Sequence, residues 1–147
     1  MFVFLPQTAQ LTRQEHLRVT AQHQQLTSVM NWLEYSGSQL ELDSQLLLRL
    51  QLVTEELFLN TLQHGYGQAC DAPIELSLTE EAGQVRLTYS DRAPAFDPRS
   101  QPARQNPEQA GAGLALICQL PDELDYQRRD GCNLICLRFG TPSRIQD

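Results

Sequence analysis

Apolar residues recur along the chain with two periods, and the changes from one to the other divide it into elements. Residues 15–20, Glu-His-Leu-Arg-Val-Thr, alternate polar and apolar as a strand with one buried face does, whereas Leu26, Val29, Met30 and Leu33 recur at helical spacing. Ser36-Gly37-Ser38 predicts the end of that helix. Leu42-Asp43 then opens a longer helical pattern with Asp43 or Ser44 as N-cap, running to about His64 and stopping at Gly65 or Gly67. Ile74, Leu76 and Leu78 alternate with polar residues, Glu81-Ala82-Gly83 turns, and Val85, Leu87 and Tyr89 alternate again, which predicts an antiparallel hairpin with Asp91 just past its second strand.

From Ala93 to Ala110 the chain is rich in Pro, Gln, Arg, Asn and Ala and poor in large apolar residues. A loop of that length inside a compact domain predicts a functional lid over about 93–110. Gly111 to Leu120 reads as a short helix, and the runs Glu123–Arg128 and Asn133–Phe139 flank an Asp130-Gly131 turn as a second hairpin. This order of elements predicts an α+β fold: a two-layer sandwich with helices on one face of a mostly antiparallel sheet.

Length and composition narrow the picture. A chain of 147 residues with 41% apolar content supports one domain over 1–147, its ordered core about 15–139. The net charge of −7 and the lack of any basic stripe argue against DNA or RNA as a partner. They leave a small anion possible, because backbone amides, helix ends and bound magnesium act locally. Cys70, Cys118, Cys132 and Cys136 form no zinc-like spacing, and the last three have apolar neighbours, so all four are expected to be small buried hydrophobes and not disulfides. The opening Met-Phe-Val-Phe-Leu-Pro is too short for a signal or a membrane span, which makes the cytoplasm the expected compartment and a membrane an unexpected partner.

In the second helix, Glu56, Asn60 and His64 stand at i, i+4 and i+8, with Arg49 and Gln63 near the same stripe and Leu57, Phe58, Leu59 and Leu62 on other faces. Such a stripe ordinarily meets water, so the helix alone decides nothing. His64, at the helix end, is expected to cap carbonyls or to pack. Trp32, Met30 and Leu33 are expected in the core.

Three ordered segments change that reading. Glu55-Glu-Leu-Phe-Leu-Asn-Thr-Leu-Gln-His-Gly-Tyr66 resembles the N-box of the anti-sigma-factor serine/threonine protein kinases. Asp91-Arg-Ala-Pro-Ala-Phe-Asp-Pro98 resembles their first glycine box, and Gly111-Ala-Gly-Leu-Ala-Leu-Ile117 their second. The closing Asp-Gly-Cys-Asn-Leu-Ile-Cys-Leu-Arg is similar to the family's last strand, so the likeness spans about residues 15 to 139. It implies the histidine kinase-like ATPase fold, bacterial origin, ATP and magnesium as ligands, and regulation of transcription through partner proteins.

The resemblance also assigns roles. Asn60 would hold magnesium, for which one neutral amide oxygen suffices because the ion takes its other ligands from phosphate and water. Glu56, one turn earlier, would serve as base for an attacking hydroxyl. Asp91 would receive the adenine amino group, with Ala93 and Phe96 beside it. Ala93 stands where the family usually has Gly, adding a methyl group at the point where the base approaches the backbone. Gly111, Gly113 and Leu114 would present amides to phosphate at a helix start. Apart from the resemblance, Arg99 or Arg104 in the lid could close over the phosphates, although an exposed lid arginine more often only solubilises, and neither is singled out.

The implied function is phosphorylation of a serine-bearing anti-sigma-factor antagonist, alternating with sequestration of a sigma factor or similar protein. The first helix is the implied homodimer face. A non-catalytic partner-switching module that binds nucleotide, or has lost it, is the alternative that Ala93 keeps open. The catalytic fragment of a histidine kinase is a third reading, weakened because no helical phosphoacceptor segment precedes the domain.

Overall fold

The computed structural model describes residues 12–100 and 114–140. Strand β1 (Arg13–Thr20) leads into helix α1 (Gln25–Gln39) and helix α2 (Ser44–Asn60), which ends in a π turn (Thr61–Gly65). A hairpin of β2 (Pro73–Glu81) and β3 (Gln84–Asp91) follows, then a 3₁₀ turn (Pro98–Ser100), a short helix α3 over 114–119, and a hairpin of β4 (Glu123–Arg129) and β5 (Cys132–Gly140). The strands form one sheet in the order β1-β2-β3-β5-β4, antiparallel at every pairing.

Alternation in the strands decides which face is covered. Ile74, Leu76 and Leu78 on β2, Val85, Leu87 and Tyr89 on β3, and Ile135, Leu137 and Phe139 on β5 are all buried. The helices cover this face: Val29 and Leu33 of α1, Leu46, Leu50, Val53, Leu57 and Phe58 of α2, and Ile117 of α3 join the same core. Each such Leu or Phe contributes roughly 1.5–3 kcal/mol through area removed from water. The α+β sandwich with helices on one face, expected from element order, is the observed architecture.

Turn chemistry sets the registers. Ala82 and Gly83 (φ 54° and 80°) and Asp130 and Gly131 (φ 55° and 78°) are paired left-handed residues between Glu81↔Gln84 and Arg129↔Cys132. Two consecutive positive φ values make the tight hairpin turn whose twist suits flanking strands. Because side chains alternate, these turns also decide that Asp91 and Asn133 point to the helix-covered face.

The structure corrects the expected break in the first helix. α1 runs through Ser36-Gly37-Ser38 to Gln39. Gly37 lies where α2 crosses: a Cβ there would sit 3.1 Å from Leu47 Cδ1, so the glycine permits close helix packing instead of a turn. The real stop comes at Glu41, in the left-handed region at φ 58°, with Leu42 N–H donating to Gly37 O and Glu41 N–H to Ser38 O. Arg13 adds a cap from the sheet, donating to the carbonyls of Gln39 and Leu40 while its guanidinium meets Glu80. At the start of α2 the expected cap is Asp43, which accepts from the amides of Gln45 and Leu46.

The cysteines also differ from expectation. All four are free thiols, but Cys118 is exposed and Cys70, Cys132 and Cys136 are only half-buried. Cys132 and Cys136 occupy the β5 positions that alternate with the buried set, so they face away from the helices. Partial burial pushes the Cys136 and Cys118 thiols up from the ordinary value. Leu33 is fully buried, and Met30 and Trp32 pack against the core partly exposed. No helix among the described residues is long and apolar enough to cross a membrane.

Candidate functional site

The inward stripe of α2, Leu46, Leu50, Val53, Leu57, carries on to Thr61, which lies over the carboxyl end of β3 and the amino end of β5 beside it. There the helix widens: Tyr66 N–H donates to Thr61 O at 2.8 Å, one residue farther back than in an α turn. The π turn carries Gly65 against the segment that follows β3, so close that a Cβ on it would lie 2.9 Å from the Cβ of Ala93. Beyond it, Gly67 takes φ 80° and the chain leaves the helix.

Where the apolar alternation of β3 and β5 reaches the strand ends beneath this turn, the inward residues become polar: Tyr89 then Asp91, and Asn133 before Ile135. Asp91 is 7% exposed and Asn133 3%. Buried polar groups require partners, and these have them. Asp91 Oδ1 accepts from Ala93 N–H at 3.1 Å and from Asn133 Nδ2 at 2.8 Å, and Oδ2 accepts from Thr61 Oγ1 at 2.8 Å. Thr61 Oγ1 lies 2.7 Å from the Tyr89 hydroxyl. With the Thr61 proton committed to the carboxylate, Tyr89 donates to Thr61. Burial, opposed by the Thr61 bond, pushes the Tyr89 phenol well above its ordinary value, so it stays a neutral donor.

Asp91 and Asn133 share a small cleft with Leu57, Asn60, Thr61, Gly65, Tyr89, Ala93, Phe96 and Ile135, with a cavity volume of about 10 Å³. That is room for roughly one water and not for a purine. Gly65 and Ala93 approach each other in its lining. Tyr66 braces the same segment by accepting from Arg92 N–H at 2.8 Å. The Tyr66 phenol is raised, chiefly by burial.

Four residues singled out by sequence, Asn60, Asp91, Ala93 and Phe96, therefore line one cleft, although they come from α2, from the last residue of β3 and from the segment after it. Glu56 lies one turn earlier on α2, half-buried, and is not among the lining residues. Leu114 is the first described residue of α3 and packs against the core. Gly111, Gly113, Arg104 and the lid from 101 onward lie outside the described residues.

Other expectations are corrected. Arg99 does not reach toward the cleft: it pairs with Asp97 at 3.0 Å and donates to Leu124 O, which pins the segment to β4. That pairing holds the Asp97 carboxyl below its ordinary value. His64 is exposed in the π turn and does not pack, because the wider turn rotates it off the line of Glu56 and Asn60. Arg49 leaves that polar stripe, stacking 5.6 Å from the Phe139 ring centre and donating to Leu120 O at the end of α3.

Thr61, Tyr89 and Asn133 were not singled out by sequence. The available signal was a polar residue at an inward position: Asn133 continues the set Ile135, Leu137, Phe139. Among the described residues, no group of three or more His, Cys, Asp or Glu is arranged to hold a metal ion.

Comparison with known proteins agrees with this geometry. Residues 19–139 match the family described as histidine kinase-like ATPase domain. The serine/threonine-protein kinase BtrW of Bordetella bronchiseptica is 31% identical over 117 residues, 76% of this chain and 82% of the relative. Among solved structures, the RsbU and RsbW domains of Rv1364c from Mycobacterium tuberculosis superpose with a TM-score of 0.63 at 18% identity. That match takes in 92% of this chain and 35% of the solved one, and at such identity it bears on fold alone. With the family match running from the end of β1 through β5, the chain belongs to the histidine kinase-like ATPase domain family, as the three motifs in its sequence implied.

Proposed function

We propose that the chain binds ATP with magnesium in this cleft and phosphorylates a serine of an anti-sigma-factor antagonist, alternating with sequestration of a sigma factor or similar partner. One observation carries the nucleotide part. A buried carboxylate, Asp91, ends β3 beside Asn60 of α2, and both line the same cleft.

The donor set fits a purine amine and a hard cation. Three donors occupy Asp91, and an ionised carboxylate has about four acceptor positions, which leaves one for an exocyclic amino group. Asn60 offers one amide oxygen, sufficient where magnesium keeps phosphate and water as its other ligands. Magnesium when bound would neutralise charge on the phosphates. Glu56, one helical turn from Asn60, would accept the proton of a protein hydroxyl. Gly111, Gly113 and Leu114 would supply amides to phosphate. Entry of a purine requires the Ala93–Phe96 segment to move away from Gly65.

The identity with a serine/threonine-protein kinase supports transfer to a protein hydroxyl. The small volume of the cleft favours the second reading, a docking module that switches partners without transfer. Thermal unfolding with and without magnesium and ATP separates the nucleotide question from the rest. Ligand at about 100 times its dissociation constant stabilises by about 2.7 kcal/mol, a shift of several degrees. A magnesium-dependent shift that Asn60→Ala abolishes supports the proposal, and absence of any shift at millimolar ATP refutes it. Labelled phosphate on a purified antagonist then distinguishes transfer from docking.

A further inference from the structure

The side chain of Asn133 is hydrogen-bonded at both ends, and the chemistry of its partners has one sense. Its Nδ2 donates to Asp91 Oδ1 at 2.8 Å, to Pro94 O at 3.0 Å and to Ala93 O at 3.2 Å. Its Oδ1 accepts from the Tyr126 hydroxyl at 2.6 Å and from Phe96 N–H at 3.1 Å. Three acceptors face the nitrogen and two donors face the oxygen. Nδ2 has two hydrogens for three acceptors, so one is shared, and an amide in this orientation matches the sense of all five contacts: a carboxylate would set oxygen against three acceptors, and an apolar side chain would leave Asp91 and Phe96 short of partners.

The side chain thus spans the Asp91–Phe96 segment from one end to the other while standing on a different strand. Its own backbone is fixed by β5, where Asn133 pairs with both Asp91 on β3 and Arg128 on β4. Arg128 reinforces the hold, donating from Nη1 to Ala93 O at 2.7 Å. The Asp-x-Gly turn of the resembling kinases has Ala93 at its third position here, so the path of this segment is held by a side-chain amide from the neighbouring strand.

The hold has a consequence for recognition. With Oδ1 of Asp91 filled by Asn133 and Ala93, and Oδ2 by Thr61, the remaining acceptor position is on Oδ2. A carboxylate accepts and does not donate. It therefore matches a base edge that carries an amino group and opposes one that carries a carbonyl.

We propose that Asn133 is the positioning residue of this cleft, orienting Asp91 and the backbone of residues 93–96 so that adenine is accepted and guanine refused. The inference rests on the nucleotide reading above and extends it to a residue outside the three motifs. Asn133 acts through Asp91 and not by touching the base.

The test is calorimetric titration of magnesium-ADP and magnesium-GDP into the wild type, Asn133→Ala and Asn133→Ser, the last being small and still able to donate one hydrogen bond. Loss of one well-placed hydrogen bond is worth about tenfold in binding. The wild type prefers ADP; Asn133→Ala loses about tenfold or more of ADP affinity while GDP affinity changes little, and Asn133→Ser falls between them. Circular dichroism restricts the comparison to folded protein. Weakening of ADP and GDP by one common factor, or no change in either, overturns the inference and leaves the nucleotide site standing. A wild type that takes up neither nucleotide overturns the nucleotide reading and the inference with it.

Discussion

Replacing Thr61 by Val tests whether the buried hydroxyl chain organises the cleft. Val keeps the branched shape of Thr and removes the only atom that joins Tyr89 to Asp91, at 2.7 and 2.8 Å. A hydrogen bond to a charged group contributes about 1.5–3 kcal/mol, and a methyl group in place of the hydroxyl returns somewhat under about 1 kcal/mol of apolar burial. The expected net loss is about 2 kcal/mol, or roughly 6 °C in Tm for a domain of this size. Tyr89→Phe leaves the Thr61–Asp91 bond in place and removes the contacts of the phenol with Thr61 and with Leu57 O, which share its one proton, so its expected loss is about 1 kcal/mol. Urea unfolding followed by Trp32 fluorescence measures both singles and the double variant. The double should fall short of the sum by about 1 kcal/mol, because the two side chains share one bond. A Thr61→Val loss below about 0.5 kcal/mol, or strict additivity in the cycle, would refute the chain Tyr89 to Thr61 to Asp91.

Gly65→Ala sets two methyl groups 2.9 Å apart on separate backbones, and such overpacking is expected to cost about 1–3 kcal/mol, with most of the loss recovered in the double variant Gly65→Ala/Ala93→Gly when both are compared by chemical denaturation. Ala93→Gly alone widens the cleft and should tighten ADP binding, so unchanged or weaker affinity on titration would count against the Gly65–Ala93 contact as what narrows the cleft. Glu41→Gly should raise stability by about 0.5–1 kcal/mol, since a side chain at φ 58° is strained and glycine there is not, whereas Glu41→Ala should leave the urea midpoint nearly unchanged.

The elements of the fold are legible in the chain because burial of one strand face or one helix stripe imposes its period on the residues. The set Ile74, Leu76, Leu78 and the set Val85, Leu87, Tyr89 reveal the hairpin, and Asp130-Gly131 reveals the turn of the second one. Ser36-Gly37-Ser38 misleads because glycine serves two ends. It breaks helices by its backbone freedom and joins them by its small size, and only the position of Leu47 tells which applies at Gly37. The cysteines mislead for a related reason: apolar neighbours in sequence alternate faces in a strand, so Cys132 and Cys136 stand opposite the buried residues beside them.

Of the site, the sequence by itself determined that Asn60 and Asp91 are available, that they stand at the end of a helix and the end of a strand, and that their surroundings follow the family's ordered motifs. Tertiary structure alone decided which side chains complete the cleft. Asn133 is separated from Asp91 by 42 residues and meets it through the β3–β5 register. Thr61 meets Asp91 across 30 residues because α2 lies over the strand ends and its last turn widens to a π turn. Periodicity follows from the local geometry of a single element, so a sequence displays it directly. Hydrogen-bond partners on different elements depend on register and on how a helix lies over a sheet, and those are settled when the core packs.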